Sequence, residues 1–296
     1  MRKYQIFIDG KWRDPASGKW LDAVNPYNGE IWAQVPQCNK KDVDFAVTAA
    51  KRAFTDGPWG SLVASKRGAL LSKAAVLLAE RAERIADLES RDTGKRITET
   101  VPMITYIAEW FQYYGGLADK IEGRVTPMDR NDIFNYTLNE PLGVVAAITP
   151  WNSPVMIAVW KIAPALAAGN TVVVKPSEHA STSTLELMEV FRDAGFPDGV
   201  VNTVTGFGNE VGEPLVSHPN VAKVTFTGSE TGGRSVNRAA ADNVRPVTLE
   251  LGGKSPQIVF ADGDIESAVN GVISGVFLSN GQTCVAGSRL FLQSEI

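Results

Sequence analysis

The sequence predicts a doubly wound parallel α/β sheet, preceded by a β-hairpin arm with helices and followed by the opening of a second, incomplete α/β unit. Three observations predict it. From Leu142 onward the apolar runs GVVAAIT, TVVVK, VVNTV, AKVTFTG and RPVTLEL alternate with stretches of helical period. Runs that are apolar throughout belong to strands buried on both faces, and the helices between them are the crossovers of a parallel sheet. The unusual residues also stand at the carboxyl ends of these runs: Thr149–Asn152, Lys175–Glu178, Gly206–Gly212, Thr227–Ser229 and Glu250–Gly253. Doubly wound sheets bind ligands outside those ends. Finally, after Gly252 there follow only PQIVF, one helix through Val269 and Val276, and the strand in SRLFLQSEI. A single βαβ unit cannot cover both faces of its own sheet, so its apolar residues are expected to lie open.

Upstream, residues 4–35 alternate short apolar runs with turn signals, and Asp9-Gly10 marks a hairpin. This stretch reads as a β-arm packed on the main body. From Lys40 the period becomes helical, with Val43, Val47, Ala50 and Phe54 on one face. Ser61 is the expected N-cap of one long helix whose buried stripe is Leu70, Leu71, Ala74, Leu77, Leu78 and Ala82. Asp92-Thr93-Gly94 stops the helical stretch, and an aromatic-rich helix covers roughly residues 97–119. Its Tyr106, Trp110, Tyr113 and Tyr114 are read as core packing, with a ligand tunnel as the alternative. Residues 121–140 return to extended character, a hairpin with IFNYTLNEP as one strand.

Composition narrows the function. The chain has 296 residues, 44% of them hydrophobic, with a net charge of -4 and basic residues scattered among more numerous acids. That excludes a nucleic-acid footprint. Gln5 and Asp9 interrupt the N-terminus, so it is no signal peptide, and no apolar run approaches the roughly 20 residues that span a bilayer. With 2 cysteines, a disulfide scaffold is not expected. The expectation is a cytoplasmic protein without membrane partners. No Cys/His spacing suggests a metal. His179 at a helix start and His218 in a turn do not compete for catalysis, and Cys38 is read as structural or exposed.

The chemistry gathers between Val247 and Cys284. VTLELGGKSP puts Glu250 at a strand end before Gly252-Gly253, and GQTC puts Cys284 after the backbone freedom of Gly281. Taken alone, the first could be a solvated strand end and the second a small buried hydrophobe. The loop PWNSP adds an amide donor, Asn152, right after GVVAAIT, and the trio then reads as base, nucleophile and donor around a carbonyl carbon. Gly206, Gly208 and Gly212 are spaced GxGxxxG, one residue longer than the dinucleotide fingerprint, so a cofactor would lie in a different pose. Lys175 and Glu178 stand where they could bind a ribose diol, the carboxylate favouring NAD over NADP. The plain alternative for this pair is a helix start capped by Ser177.

LELGGKSP, FLSNGQTCVAGS, PWNSP, KPSE and FTGS, in this order and spacing, resemble the aldehyde dehydrogenase superfamily over essentially the whole chain. The resemblance implies NAD-dependent oxidation of a small-molecule aldehyde to its acid. Cys284 would add to the aldehyde, giving a thiohemiacetal. The Asn152 amide and the Cys284 N–H would hold the oxyanion, and hydride transfer to the nicotinamide would leave a thioester. Glu250 would activate the hydrolytic water, and Lys161 resembles a proton-relaying lysine. The implied Rossmann-like cofactor site comprises Ile148, Thr149, Pro150, Trp151, Lys175, Ser177, Glu178, Gly208, Gly212, Phe226, Thr227, Gly228, Ser229, Leu251 and Gly252. The implied cofactor domain is residues 1–120 and 141–252, with 121–140 an oligomerisation hairpin and 253–296 the start of a catalytic domain. A full-length form is expected to be a homo-oligomer. Two departures stand out. Ser153 occupies a place where many relatives carry a larger apolar residue beside the substrate channel. Relatives also continue well beyond the nucleophile, so the catalytic domain is expected to be incomplete. The alternative to an enzyme is therefore an inactive dinucleotide-binding fragment.

Overall fold

The chain, described over residues 1–296 by a computed structural model, opens with β1 (Arg2–Lys3), β2 (Ile6–Ile8) and β3 (Lys11–Arg13). β2 and β3 pair around Asp9-Gly10, whose φ values of 55° and 72° suit the twist of a two-residue hairpin. β4 (Trp20–Val24) and β5 (Ile31–Pro36) form a second hairpin, to which β1 adds in parallel. Tyr4, Ala23, Ala33 and Val35 bury against Leu185, so this arm does pack on the body.

α1 (Lys40–Thr55) starts at a capping box of Asn39 and Asp42 and buries Val43, Val47 and Ala50. The next segment departs from expectation. Helix α2 (Ala64–Glu80) begins behind Val63, and Ser61 does not cap it, its hydroxyl donating to Pro58 O at 3.2 Å. The cause is Trp59, whose buried ring nitrogen donates to Gly169 O and Asn170 O and ties the turn to the body. The single long helix is also broken, at Arg81, before α3 (Ala82–Thr93), which ends at Gly94 with φ 74°. A straight rod over 64–93 would run about 45 Å. That exceeds both partners on which the two halves pack, α4 (Ile97–Leu117) and α6 (Thr182–Ala194). The predicted stripe survives the break, with Leu71, Ala74, Leu78 and Ala82 buried.

On α4 the buried face is Thr100, Ile104, Ile107, Ala108 and Phe111. That stripe fills the contact with α2 and α3, and the tyrosines fall on the far side of the helix. Tyr106 and Tyr113 are 55% and 61% exposed, which corrects the core-packing expectation for them. With Glu109, Trp110 and Tyr114 they line a small open cavity of about 530 Å³. Residues 121–140 form only the short exposed pair β6 (Val125–Thr126) and β7 (Asn135–Tyr136).

The apolar runs become β8 (Val144–Ile148), β9 (Thr171–Lys175), β10 (Val201–Thr203), β11 (Val221–Thr227) and β12 (Val247–Glu250). They form one 5-stranded parallel sheet in the order β10-β9-β8-β11-β12. The connections are α5 (Pro154–Ala167), α6, α7 (Glu213–Ser217) and α8 (Glu230–Ala241). Alternation divides each strand between two cores. Val172 and Val174 face the layer holding α5, α6 and α2–α4, whereas Val173, Val224 and Phe226 face α1, α7 and α8. The order in which strands are added reverses between β8 and β11, so the switch point lies between Thr149 and Thr227. Ser177 is not a helix cap, because α6 begins at Thr182. Beyond the sheet, β13 (Pro256–Val259) pairs in parallel with β14 (Arg289–Leu292), and α9 (Ile265–Phe277) between them buries no residue. Ile258, Phe260 and Phe277 are accordingly exposed, as expected of a lone βαβ unit.

Candidate active site

The carboxyl ends of the strands open on one cleft of about 890 Å³. Ile148, Thr149, Pro150 and Trp151 line it after β8, Lys175, Ser177 and Glu178 after β9, and Gly208 and Gly212 after β10. Phe226, Thr227, Gly228 and Ser229 follow β11, and Leu251 and Gly252 follow β12. The extra residue of GxGxxxG is absorbed by a wide turn in which Glu213 N–H bonds Gly208 O, five residues back, before α7 starts. Ser229 caps α8 by accepting from Gly232 N at 3.1 Å. The remaining free amides of that helix end carry partial positive charge beside the cleft. A Cβ on Gly228 or Gly232 would come within 2.6 or 2.9 Å of the Phe226 ring and would have to displace it.

These residues suit a dinucleotide. Thr149 Oγ1 is buried without a hydrogen-bond partner at the switch point. Such an orphan costs about 1–3 kcal/mol unless a ligand supplies the missing bond. Lys175 is buried, its Nζ donating to Pro176 O at 3.0 Å and lying 3.4 Å from Glu178 Oε2. Desolvation lowers its pKa, opposed by the Glu178 charge. An ammonium and a carboxylate side by side, with free helix amides across the cleft, match a ribose diol and a pyrophosphate.

Cys284 is exposed and lines the same cleft. Three successive left-handed residues, Ser279, Asn280 and Gly281 with φ of 56°, 58° and 72°, turn the chain back from α9 to reach it. Only Gly281 does so without steric cost. Asn152 Nδ2 donates to Gln282 O at 2.7 Å. One N–H of that amide is thereby locked onto the cysteine's own loop, and the other is left for a ligand. The structure thus brings Asn152 and Cys284 together.

It does not bring Glu250 or Lys161 into the lining. Alternation along the edge strand β12 turns Thr248 and Glu250 away from the α8 layer, where Val247 and Leu249 pack. Lys161 lies on that other side, buried in α5, with Nζ donating to Thr225 Oγ1 at 3.0 Å. Burial pushes the ammonium down to about 8, and the Glu250 charge opposes the shift. The two therefore form an electrostatically linked pair behind the cleft. Several lining residues carry no signal of their own in the sequence, among them His179, Asn209, Glu213, Gln282 and Thr283. Asn209, Gln282 and Thr283 lie within a motif and His179 and Glu213 beside one, and that placement is the only clue to them. Ser153 is buried, its hydroxyl bonded to Lys95.

Fold and cleft together define an α/β protein with a dinucleotide-type crevice at its switch point and a cysteine in the same crevice. Residues 12–296 match the aldehyde dehydrogenase family, and the chain belongs to that family. It is 50% identical, over 100% of its own length and 60% of the relative's, to a (Z)-2-((N-methylformamido)methylene)-5-hydroxybutyrolactone dehydrogenase of Acinetobacter baylyi. Cytosolic aldehyde dehydrogenase 1 of Rattus norvegicus is 44% identical over 99% of this chain and 59% of that one. Among solved structures, an NAD-dependent aldehyde dehydrogenase from Sinorhizobium meliloti superposes with a TM-score of 0.97 at 43% identity, over 99% of this chain and 59% of that one. The NAD+ complex of an aldehyde dehydrogenase from Bacillus cereus gives 0.97 at 41%, over 99% of this chain and 60% of that one. The chain spans about three fifths of the length of these relatives. No helix is long and apolar enough to cross a membrane.

Proposed function

We propose that this chain takes part in NAD-dependent oxidation of an aldehyde to its carboxylic acid, with Cys284 as nucleophile. The observation that carries the reading is the Asn152 amide docked on the Cys284 loop inside the cleft. The Cys284 sulfur attacks the carbonyl carbon as the thiolate, its proton having gone to solvent, a C–S bond forms, and the carbonyl π pair moves to oxygen. The free N–H of Asn152 and the Cys284 backbone N–H donate to that oxygen, where charge develops. NAD, when bound, supplies the hydride acceptor. The thioester then left on Cys284 is hydrolysed by a water, the C–S bond breaking to release the thiolate; Glu250, outside the lining at the end of β12, takes the water's proton only when its side chain swings into the cleft. Lys161, whose Nζ donates to Thr225 Oγ1 at 3.0 Å on the same side of the sheet as Glu250, would relay that proton in this reading. Residues 1–120 and 141–252 serve the cofactor in this reading, 121–140 serves homo-oligomer contacts, and 253–296 begins the catalytic unit. The uncovered α9 favours one competitor, a dinucleotide-binding fragment without turnover.

The test is NADH formation from a small aliphatic aldehyde, followed by absorbance, alongside NAD titration by tryptophan fluorescence. Wild type is expected to form NADH, and Cys284→Ala to bind NAD equally and form none. NAD binding without turnover in the wild type would leave the fragment reading in place.

NAD is proposed over NADP because a 2′-phosphate would sit against the Glu178 carboxylate. Glu178→Gln keeps the shape and removes the charge, and it is expected to narrow the NAD advantage by about 1 kcal/mol. Dissociation constants for both dinucleotides check this, and equal affinities in the wild type would remove the argument.

A further inference from the structure

We propose that the loop between α3 and α4 together with the first turn of α4, residues 94–99, is a brace that fixes the Asn152 loop and the Cys284 loop relative to each other, with Lys95 and Glu99 as positioning residues. On one side, Lys95 Nζ donates to Ser153 Oγ at 2.7 Å. The lysine side chain is 1% exposed and lies 3.5 Å from Glu89 Oε1, which is 0% exposed. The second oxygen of Glu89 accepts Val155 N–H at 3.3 Å, so it holds the first turn of α5 from outside. Ser153 is the N-cap of α5 but makes no side-chain cap bond of its own. Its hydroxyl is anchored to Lys95, and its chain neighbour is Asn152.

On the other side, Glu99 Oε2 accepts Ser279 N–H at 2.8 Å, and Gly94 O accepts Asn280 Nδ2 at 2.7 Å. Ser279 and Asn280 are the left-handed, non-glycine residues of the cysteine loop, a conformation that persists only when its surroundings hold it. The bond from Asn152 Nδ2 to Gln282 O then closes the circuit. One short segment, the loop and the helix turn after it, therefore grips both partners of the proposed oxyanion site from behind. No step of the proposed chemistry uses Glu89, Lys95 or Glu99. A buried ion pair is weak grounds for stability alone, because desolvation offsets the attraction. Placement of the two loops is what these contacts secure.

The inference rests on the proposed reaction for its purpose, but its geometry is testable without turnover. The variants are Ser153→Ala, Lys95→Met and, as the conservative replacement, Ser153→Thr. Amide hydrogen exchange is read over residues 148–156 and 279–284. Ser153→Ala touches only the first segment directly, yet it is expected to speed exchange in both by about tenfold, a coupling of ordinary size between linked neighbours. Ser153→Thr, which keeps the hydroxyl, is expected to restore both. Lys95→Met should behave as Ser153→Ala does, and if it fails to fold, the serine pair still decides. Faster exchange confined to 148–156, or no rescue by threonine, would overturn the brace. Failure of the proposed reaction would appear separately, as a wild type that binds NAD and forms no NADH.

Discussion

Iodoacetamide at neutral pH is expected to alkylate Cys284 well before Cys38, because the thiolate is the reacting species and only Cys284 is exposed. Cys38 is 0% exposed, and its Sγ lies 3.8 Å from Thr205 Oγ1 in the core beneath α1. Burial pushes that thiol from 9.0 up to about 12, so its thiolate is rare at neutral pH. Cys284 stands exposed at the cleft. Peptide mapping over a time course gives both rates from one sample, and Cys284→Ala should abolish the fast phase. Comparable rates would mean that Cys38 becomes accessible through local opening of the arm, and the buried assignment would fail.

Trp59→Ala is expected to cost about 3–5 kcal/mol of stability, the range for losing a buried aromatic. The residue lies outside every motif, but it is 1% exposed and packs on Phe196 at 5.8 Å between ring centroids. Its ring nitrogen serves Gly169 O and Asn170 O at the turn from α5 into β9. Trp59→Phe keeps most of the apolar contact and strands both carbonyls, so a smaller loss of about 1–3 kcal/mol should remain. Urea denaturation followed by far-UV circular dichroism separates the two. A loss below about 1 kcal/mol for the alanine variant would show that the cavity refills and that the turn does not depend on this ring.

The sheet was legible because burial on both faces leaves a local mark, an unbroken apolar run, and because parallel strands need crossovers long enough to show a helical period. Asp9-Gly10 and Gly94 were legible for a related reason: a left-handed backbone restricts which residues can stand there. The start of α2 and the break at Arg81 were not, since Trp59 and the length of the packing partners decide them. The tyrosines of α4 show the same limit. Periodicity marks which residues share a face, and only the neighbours show which face is covered.

For the candidate site, the sequence by itself determined which residue types reach the strand ends, because motif chemistry and strand grammar are both local. Thr149, Lys175, Glu178 and Ser229 stand where the runs and their turns put them, and Cys284 where the turn after α9 puts it. Tertiary structure alone decided which of them meet. Asn152 bonds Gln282 across 130 positions, and Lys95 bonds Ser153 across 58, and no local pattern encodes either pairing. It also placed Glu250 and Lys161 on the side of the sheet away from α8, outside the cleft lining. A side chain at a strand end is aimed by strand pairing and by which face the helices cover, and those contacts form only when the chain is folded.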